Sequence, residues 1–388
     1  MLDTEISIMS LISLSALGSG PEASWEAYKS PEHRLRPLSG KGFLGEMAGM
    51  LSETDLHQME VLKGQHPKYR HLDPSVLYAI QVGRAAIQAA GWTGESGYGV
   101  NIGSSRGATH ILETRHEAFI NSGKVRPQTS PNTTLGNISS WVAQDLGASG
   151  PVLSHSITCS TALHAVLNGI AWITSGMAKR FLVGGSEAPL TPFTLAQMKA
   201  LKIYSQGGNY PCRALDLAKQ TNTMVLGEGA GMACLEPGRK KGALASIIGV
   251  GYATEPITHG ASMSADGECL QRSMEMAMDG ISPETVDVVV MHAPGTLKGD
   301  KAEMEAVYRV FGKKTPALTT NKWKLGHTLG TSGILSIELA ILMLKHQYFI
   351  EVPYLDKVPG PEKLERVLVN AVGFGGNAVS ICLERGAI

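Results

Sequence analysis

The sequence predicts an α/β protein made of two similar halves, and three observations carry that prediction. Short apolar, strand-like runs alternate with segments of helical period. Glycine is abundant, 45 of 388 residues against 6% aromatics, which suits tight turns that bring backbone close to a ligand. A run near residue 245 also repeats the character of the opening run.

Taken in order, Ile6-Ser7-Ile8-Met9-Ser10-Leu11 reads as a first strand. The stretch Ile6 to Leu17 could pass for a signal-peptide core, but Asp3 and Glu5 precede it without any Lys or Arg, which favours the strand. Leu163, Val166, Leu167, Ile170 and Ile173 are spaced by three and four and predict a helix beginning just after Ser160. Phe181-Leu182-Val183 predicts a strand that ends in a turn at Gly184-Gly185. Pro237-Gly238-Arg239-Lys240-Lys241-Gly242 is a polar break, and Ala245 to Gly251 beyond it resembles the opening run. Residues 1–240 and 241–388 are therefore read as the two halves. In the second, Val286 to Met291 predicts a strand ending at His292, and Ile334, Ile337, Ile341 and Leu344 mark a helix beginning near His327. No apolar run is expected to span a bilayer: the best candidate, Gly333 to Leu344, carries Glu338 and is closed by Lys345 and His346.

Charge and cysteine content narrow the function classes. Lys+Arg and Asp+Glu are both 34, so net charge draws the molecule neither to nucleic acid nor to a membrane. Five cysteines, an odd number without a CxxC, argue against a disulfide framework or a zinc site and for a reducing, cytoplasmic compartment. Gly103-Ser104-Ser105 is not followed by Gly-Lys-Ser or Gly-Lys-Thr, so nucleotide binding is not supported.

The chemistry centres on Cys159, His292 and His327. A lone Cys is more often a small core hydrophobe and a lone His more often a satisfied core residue. Cys159, however, falls at a predicted helix N-terminus, where the helix dipole favours thiolate, and its small neighbours leave room for an acyl chain. His292 ends a Val-rich strand, and His327 lies before a helix with glycines on either side, where a ligand can approach.

These residues resemble the β-ketoacyl-acyl carrier protein synthases of the elongating branch, including ketosynthases of type II fatty acid and polyketide systems. The resemblance runs the length of the chain, through Trp25-Glu26-Ala27-Tyr28, Gly150-Pro151, Cys159 and Gly184-Gly185-Ser186-Glu187. It continues through Arg213-Ala214-Leu215-Asp216, Leu226-Gly227-Glu228-Gly229-Ala230-Gly231, both His motifs and Gly373-Phe374-Gly375-Gly376-Asn377. It implies a thiolase-like fold of two duplicated halves in αβαβα layers, a homodimer or a heterodimer with a related ketosynthase or chain-length subunit, and acyl carrier protein as partner. No cofactor is implied, because substrates arrive on the carrier's phosphopantetheine.

The resemblance also implies roles. Cys159 would accept the acyl group, and His292 and His327 would hold the thioester oxygen of a decarboxylating malonyl group. The backbone N–H groups of Cys159 and Phe374 would form an oxyanion hole, with Phe374 as gate and Gly375 beside it as a substrate-binding residue. Lys322 matches the family's active-site lysine and Glu303 the acidic residue that pairs with it, a pair that orients the histidines. Thr296 would touch the pantetheine arm, since Pro294 replaces a usual hydroxyl. Met224 stands where a Phe is common, and Gly136 where a bulkier pocket residue is expected, which leans towards a specialised pathway such as polyene or pigment synthesis. Lys63, Lys68, Arg70 and His71, together with Lys199 and Lys202, are candidate docking sites for an acidic carrier protein.

Three competing readings are weaker. A chain-length partner without condensing activity would typically lack the nucleophilic Cys, a degradative thiolase would show a second Cys in a late glycine-rich motif, and a coenzyme-A-primed starter synthase would usually replace the second His by Asn.

Overall fold

The computed structural model describes residues 4–135, 137–256, 263–357 and 359–386. The first half contributes β1 (Ile6–Ser15), β2 (Gly18–Ser19), a separate ribbon of β3 (Arg36–Pro37) and β4 (Met47–Ala48), then β5 (Gly99–Gly103), β6 (Val152–Leu153), β7 (Phe181–Glu187) and β8 (Gly229–Pro237). The second contributes β9 (Ala245–Thr254), β10 (Val288–Val290), β11 (Ala317–Thr319), β12 (Arg366–Gly373) and β13 (Asn377–Arg385). The sheets run β2-β1-β8-β7-β5-β6 and β11-β10-β12-β13-β9. Leaving β2 aside, each sheet uses its first, fifth, fourth, second and third main strand in that spatial order, and the pairings match in sense. β1–β8 and β8–β7 are antiparallel while β7–β5 and β5–β6 are parallel. β9–β13 and β13–β12 are antiparallel while β12–β10 and β10–β11 are parallel. The two halves share one topology.

Between the sheets lie the helices Thr161–Thr174 and Ser332–His346, one from each half. Ala162, Leu163, Val166 and Ile170 of the first and Ile334, Ile337, Ile341 and Leu344 of the second share one core with inward residues of β1, β7, β12 and β13. At roughly 1.5–3 kcal/mol per fully buried aliphatic side chain, this layer is a principal stabilising element. Residues Leu329–His346 do reach the length and apolarity of a membrane span, unlike the expectation above, but 89% of that stretch is buried inside the molecule. It is apolar all round because it packs between two sheets.

Two expected boundaries move for physical reasons. Gly184 and Gly185 do not form a turn; β7 runs through both to Glu187. A Cβ on Gly184 would overlap the Gly231 carbonyl of β8, so the glycine permits close approach and not a reversal. The second central helix starts at Ser332, five residues after His327, because Gly326 (φ 80°) and Leu329 (φ 45°) take left-handed backbone that no helix accepts.

Candidate active site

Cys159 sits in the 3₁₀ turn Thr158–Ser160, immediately before the helix Thr161–Thr174. His292 follows β10, and the first turn of the next helix, Leu297–Phe311, starts four residues beyond Ala293. His327 lies on a clamped loop: its N–H donates to the Val225 carbonyl at 2.6 Å and its carbonyl accepts from Gly227 N–H at 3.0 Å. A Cβ on Gly326 would stand 2.8 Å from the Leu226 carbonyl, so that clamp depends on glycine. These three elements bring one thiol and two imidazoles together, with a coordinating atom of each within 4.8 Å of the others. The imidazole rings meet edge to face, centroids 5.1 Å apart and planes at 83°. Ser332 of the second half ties into the thiol's turn, its Oγ donating to the Cys159 carbonyl at 3.3 Å.

Burial sets the protonation states. His327 is pushed down to about 3 by burial and then by the Lys322 ammonium, and His292 is depressed by burial, by His327 and by Lys322. Both rings are neutral at pH 7, and each keeps a buried Nδ1 without a partner among the described residues. Burial pushes the Cys159 thiol up to about 12, with the Glu187 carboxylate adding to the rise and Lys322 opposing it. Here the structure corrects the sequence-based expectation of a favoured thiolate. The helix N-terminus is present, but its dipole contributes about 0.3–1 kcal/mol, less than one pH unit, and desolvation wins.

Lys322 is buried, lowered to about 8 by burial, and its Nζ donates to Asn321 Oδ1 at 3.0 Å. Glu303 does not form the ion pair with it that the resemblance implies. Its carboxylate instead accepts from the N–H groups of His292 (2.8 Å) and Ala293 (2.7 Å), and from Asn370 Nδ2 at 3.3 Å. Two main-chain donors on adjacent residues fit one carboxylate better than a single ammonium does, and they fix the left-handed backbone of Ala293 (φ 28°) beside His292.

Phe374 is 39% exposed at the β12–β13 turn, and its carbonyl accepts from Thr158 Oγ1 at 3.4 Å, which places that turn against the Cys159 turn. Gly375 carries φ 89° in the same turn. Met224 is buried in one apolar cluster with Cys159, Leu195, Met198, Tyr204, Leu226 and Leu329. Thr296 caps the helix Leu297–Phe311, its Oγ1 accepting from Gly299 N–H at 3.2 Å, so one lone pair is engaged locally and the hydroxyl proton and second lone pair are left for a ligand. Gly136 lies outside the described residues.

The basic residues divide. Lys199 and Lys202 are exposed and bracket Leu201, and their neighbours Met198 and Ile203 pack into the Cys159 cluster; Lys199 pairs with Glu46. Lys63, Lys68 and Arg70 belong to the segment around Leu62 and Tyr69, which packs into a different core. Lys63 pairs with Glu60, and Lys68 lies over the rings of Tyr69 and Trp141. A thiol with two imidazoles is also a ligand set for a soft cation. The buried Lys322 charge beside all three groups would repel such an ion.

Sequence reasoning assigned no role to Glu187 or Asn321. The available signal for Glu187 was an acidic residue ending a largely apolar strand, two positions after Gly184-Gly185.

Comparison with known proteins agrees along the whole chain. The 3-oxoacyl-[acyl-carrier-protein] synthase 2 of Vibrio cholerae serotype O1 is 29% identical over 405 residues, covering 96% of this chain and 97% of that protein. Among solved structures, the ishigamide ketosynthase/chain length factor superposes with a TM-score of 0.85 at 21% identity, covering 99% of this chain and 100% of its own. The AntDE:AntF complex, a type II PKS acyl-carrier protein in complex with its ketosynthase bound to the hexaketide, gives 0.84 at 21% identity, with 99% and 100% covered. Family models for "Beta-ketoacyl synthase, N-terminal domain" and "Beta-ketoacyl synthase, C-terminal domain" match residues 4–241 and 244–355. With the fold, the site and the family models in agreement, this chain belongs to the β-ketoacyl synthase family.

Proposed function

We propose that this chain is an elongating 3-oxoacyl-[acyl-carrier-protein] synthase, an acyltransferase that joins a Cys159-bound acyl chain to malonyl-acyl carrier protein by decarboxylative Claisen condensation. The observation that carries the reading is the convergence of Cys159, His292 and His327 within 4.8 Å.

The chemistry runs in two stages. The Cys159 sulfur attacks the acyl thioester, the carrier's C–S bond breaks, and the thiol proton leaves on the carrier's sulfur. The malonyl carboxylate then departs as CO2, and its electron pair forms an enolate whose oxygen takes hydrogen bonds from the two neutral imidazoles. The enolate carbon attacks the acyl-Cys159 carbonyl, a C–C bond forms, and the expelled sulfur takes up one proton to restore the thiol. Neutral rings suit this task because a neutral imidazole donates without surrendering its proton. Glu303, by fixing the main chain of His292 and Ala293, orients that ring, and Lys322 lowers the cost of the Cys159 thiolate. The N–H groups of Cys159 and Phe374 would hold the tetrahedral oxygen, and Gly375 gives the gate its turn. No step calls for a resident cofactor or metal.

Met224 shares the buried apolar cluster of Cys159, and Gly136, outside the described residues, remains our candidate for a widened pocket; both support a specialised fatty acid, polyketide or polyene pathway. Residues 1–240 and 241–388 act as two halves that meet at the site. Acyl carrier protein is the partner by analogy with the AntDE:AntF complex, and dimerisation with itself or a related subunit is supported by exposed Leu112, Phe119 and Ile120 on the helix Thr109–Ser122, of which only Thr109 is buried. Five unpaired cysteines support the reducing cytoplasm as its compartment.

Intact-protein mass spectrometry with saturated and polyenoic acyl carrier protein thioesters tests the reading. An acyl adduct on Cys159 that is consumed by the malonyl form as a longer ketoacyl carrier appears is the expected result. Absence of an adduct from every donor, with and without a related subunit, would overturn it.

A further inference from the structure

Glu187 ends β7 fully buried where the two halves meet, and the reaction above does not use it. Its Oε1 accepts from the N–H of Ser105, in the loop after β5, and at 3.2 Å from the N–H of Gly330, in the turn after His327. A Cβ on Gly330 would lie 2.6 Å from that oxygen and 2.7 Å from the Ser105 nitrogen, so glycine there is what lets one carboxylate reach both donors. Its other oxygen, Oε2, is buried without a partner among the described residues. A buried carboxylate costs several kcal/mol when charged unless donors surround it, and the Ser105 and Gly330 N–H groups supply two. The groups around it are few. The Ser104–Arg106 loop offers hydroxyl and N–H donors while the Arg106 guanidinium turns to Thr194 and Gln197. The Leu329–Thr331 turn offers the Gly330 N–H, and the Thr158–Ser160 turn brings the Cys159 thiol, whose other charged neighbour is Lys322.

We propose that Glu187 is a positioning residue of this site: it pins the His327 turn to the opposite half's sheet through the Gly330 N–H and so holds that imidazole where it meets Cys159. The inference deepens the condensing-enzyme reading and rests on it for the role of His327, but the placement of His327 is measurable without any condensation.

The test reads acyl loading of Cys159 and malonyl decarboxylation separately on the full chain, by intact mass and by CO2 release, together with the imidazole signal of His327 in isotope-labelled protein, assigned with His327→Gln. Glu187→Asp shortens the reach to the Ser105 and Gly330 N–H groups; it should shift the His327 signal and drop decarboxylation about tenfold or more with acyl loading retained. Glu187→Gln keeps the length and an accepting oxygen and should restore the signal and most of the rate. A folded Asp variant with the wild-type His327 signal and full decarboxylation overturns the proposal, and so does a Gln variant no better than Asp. Should Glu187→Asp fail to fold, Gly330→Ala drives a methyl against the same carboxylate and must give the same loss, and an unchanged His327 signal and rate there overturns the proposal. A chain that condenses nothing but shows the shifted His327 signal would sink the condensing reading and keep the pin.

Discussion

Thr158 and Leu329 adopt the same left-handed backbone, φ 47° and 45°, each at the first position of a 3₁₀ turn that leads into one of the two central helices. Neither is glycine, and each such conformation costs about 1–2 kcal/mol. The duplicated fold therefore repeats a strained elbow, and the elbow presents the next residue at the junction between halves. In one half that residue is Cys159. In the other it is Gly330, where a side chain would strike Glu187. The repeated device carries a nucleophile once and a space once.

The elbow at Thr158 depends on how closely β12 approaches it. A Cβ on Gly373 would overlap Thr158 Oγ1, with the Ile157 carbonyl 2.9 Å and the Cys159 nitrogen 3.2 Å away. Gly373→Ala should keep the circular-dichroism spectrum yet slow acyl loading of Cys159 by about tenfold or more, since a displacement of a fraction of an ångström at a reacting group is felt at that level. Adding Thr158→Ala removes the first clash and should restore part of the loading rate. No restoration would show that the Ile157 carbonyl, not the hydroxyl, sets the limit.

The three central side chains should separate the two stages. Cys159→Ala should abolish loading in a folded protein, and continued condensation by it would end the proposed mechanism. His327→Ala should still load Cys159 while losing malonyl decarboxylation by about 100-fold or more, the range seen when an oxyanion donor is removed. Equal loss of both stages, followed by quenched-flow mass spectrometry, would instead make His327 an activator of the thiol.

Acid stability follows from the buried imidazole. His327 titrates near 6.5 in an unfolded chain and is pushed down to about 3 here. Its neutral form belongs to the folded state, so its contribution is complete above pH 6.5 and is lost as pH falls towards 3. Between about pH 6.5 and pH 5 the wild type should lose about 2 kcal/mol relative to His327→Gln, at about 1.36 kcal/mol per pH unit. Glu303, raised to about 7 by burial, works in the opposite sense, losing its contribution as pH rises through 7, but it is common to both proteins and cancels in the difference. Urea unfolding of the pair at both pH values reads it directly, and parallel acid losses would place the His327 proton elsewhere.

Much of this was legible in the sequence for reasons that local chemistry supplies. The period of Leu163 to Ile173 fixed a helix whose start follows Ser160, and the Val-rich run before His292 gave its strand, because apolar spacing is a local property. What failed depended on contacts far apart in the chain. Gly184-Gly185 looks like a turn until the Gly231 carbonyl is seen pressed against it. Glu303 looks like the partner of Lys322 until the His292 and Ala293 N–H groups are found nearer to hand. The thiolate expectation weighed a helix dipole that position alone reveals, but not the desolvation, which only the packed site reveals.

Carrier recognition gives the last prediction, because the basic residues that look equivalent in sequence are not equivalent in place. Lys199 and Lys202 are flanked by Met198 and Ile203, which pack in the Cys159 cluster, whereas Lys63 is engaged by Glu60 and Lys68 lies on aromatic rings of another core. If an acidic carrier docks beside the first pair to deliver its arm to Cys159, charge reversal there should act on encounter and not on chemistry. Lys202→Glu should raise KM for the acyl carrier protein several-fold, by about 1 kcal/mol per reversed rim charge, with kcat unchanged and the difference fading at about 0.5 M salt. Lys199→Glu should do more, since the introduced carboxylate would also face Glu46, the present partner of Lys199. Lys63→Glu and Arg70→Glu should leave KM within twofold of wild type. A larger effect from that second pair than from Lys199 and Lys202 would move the docking face to the segment around Tyr69 and require the arm to approach Cys159 from the other side of the sheet.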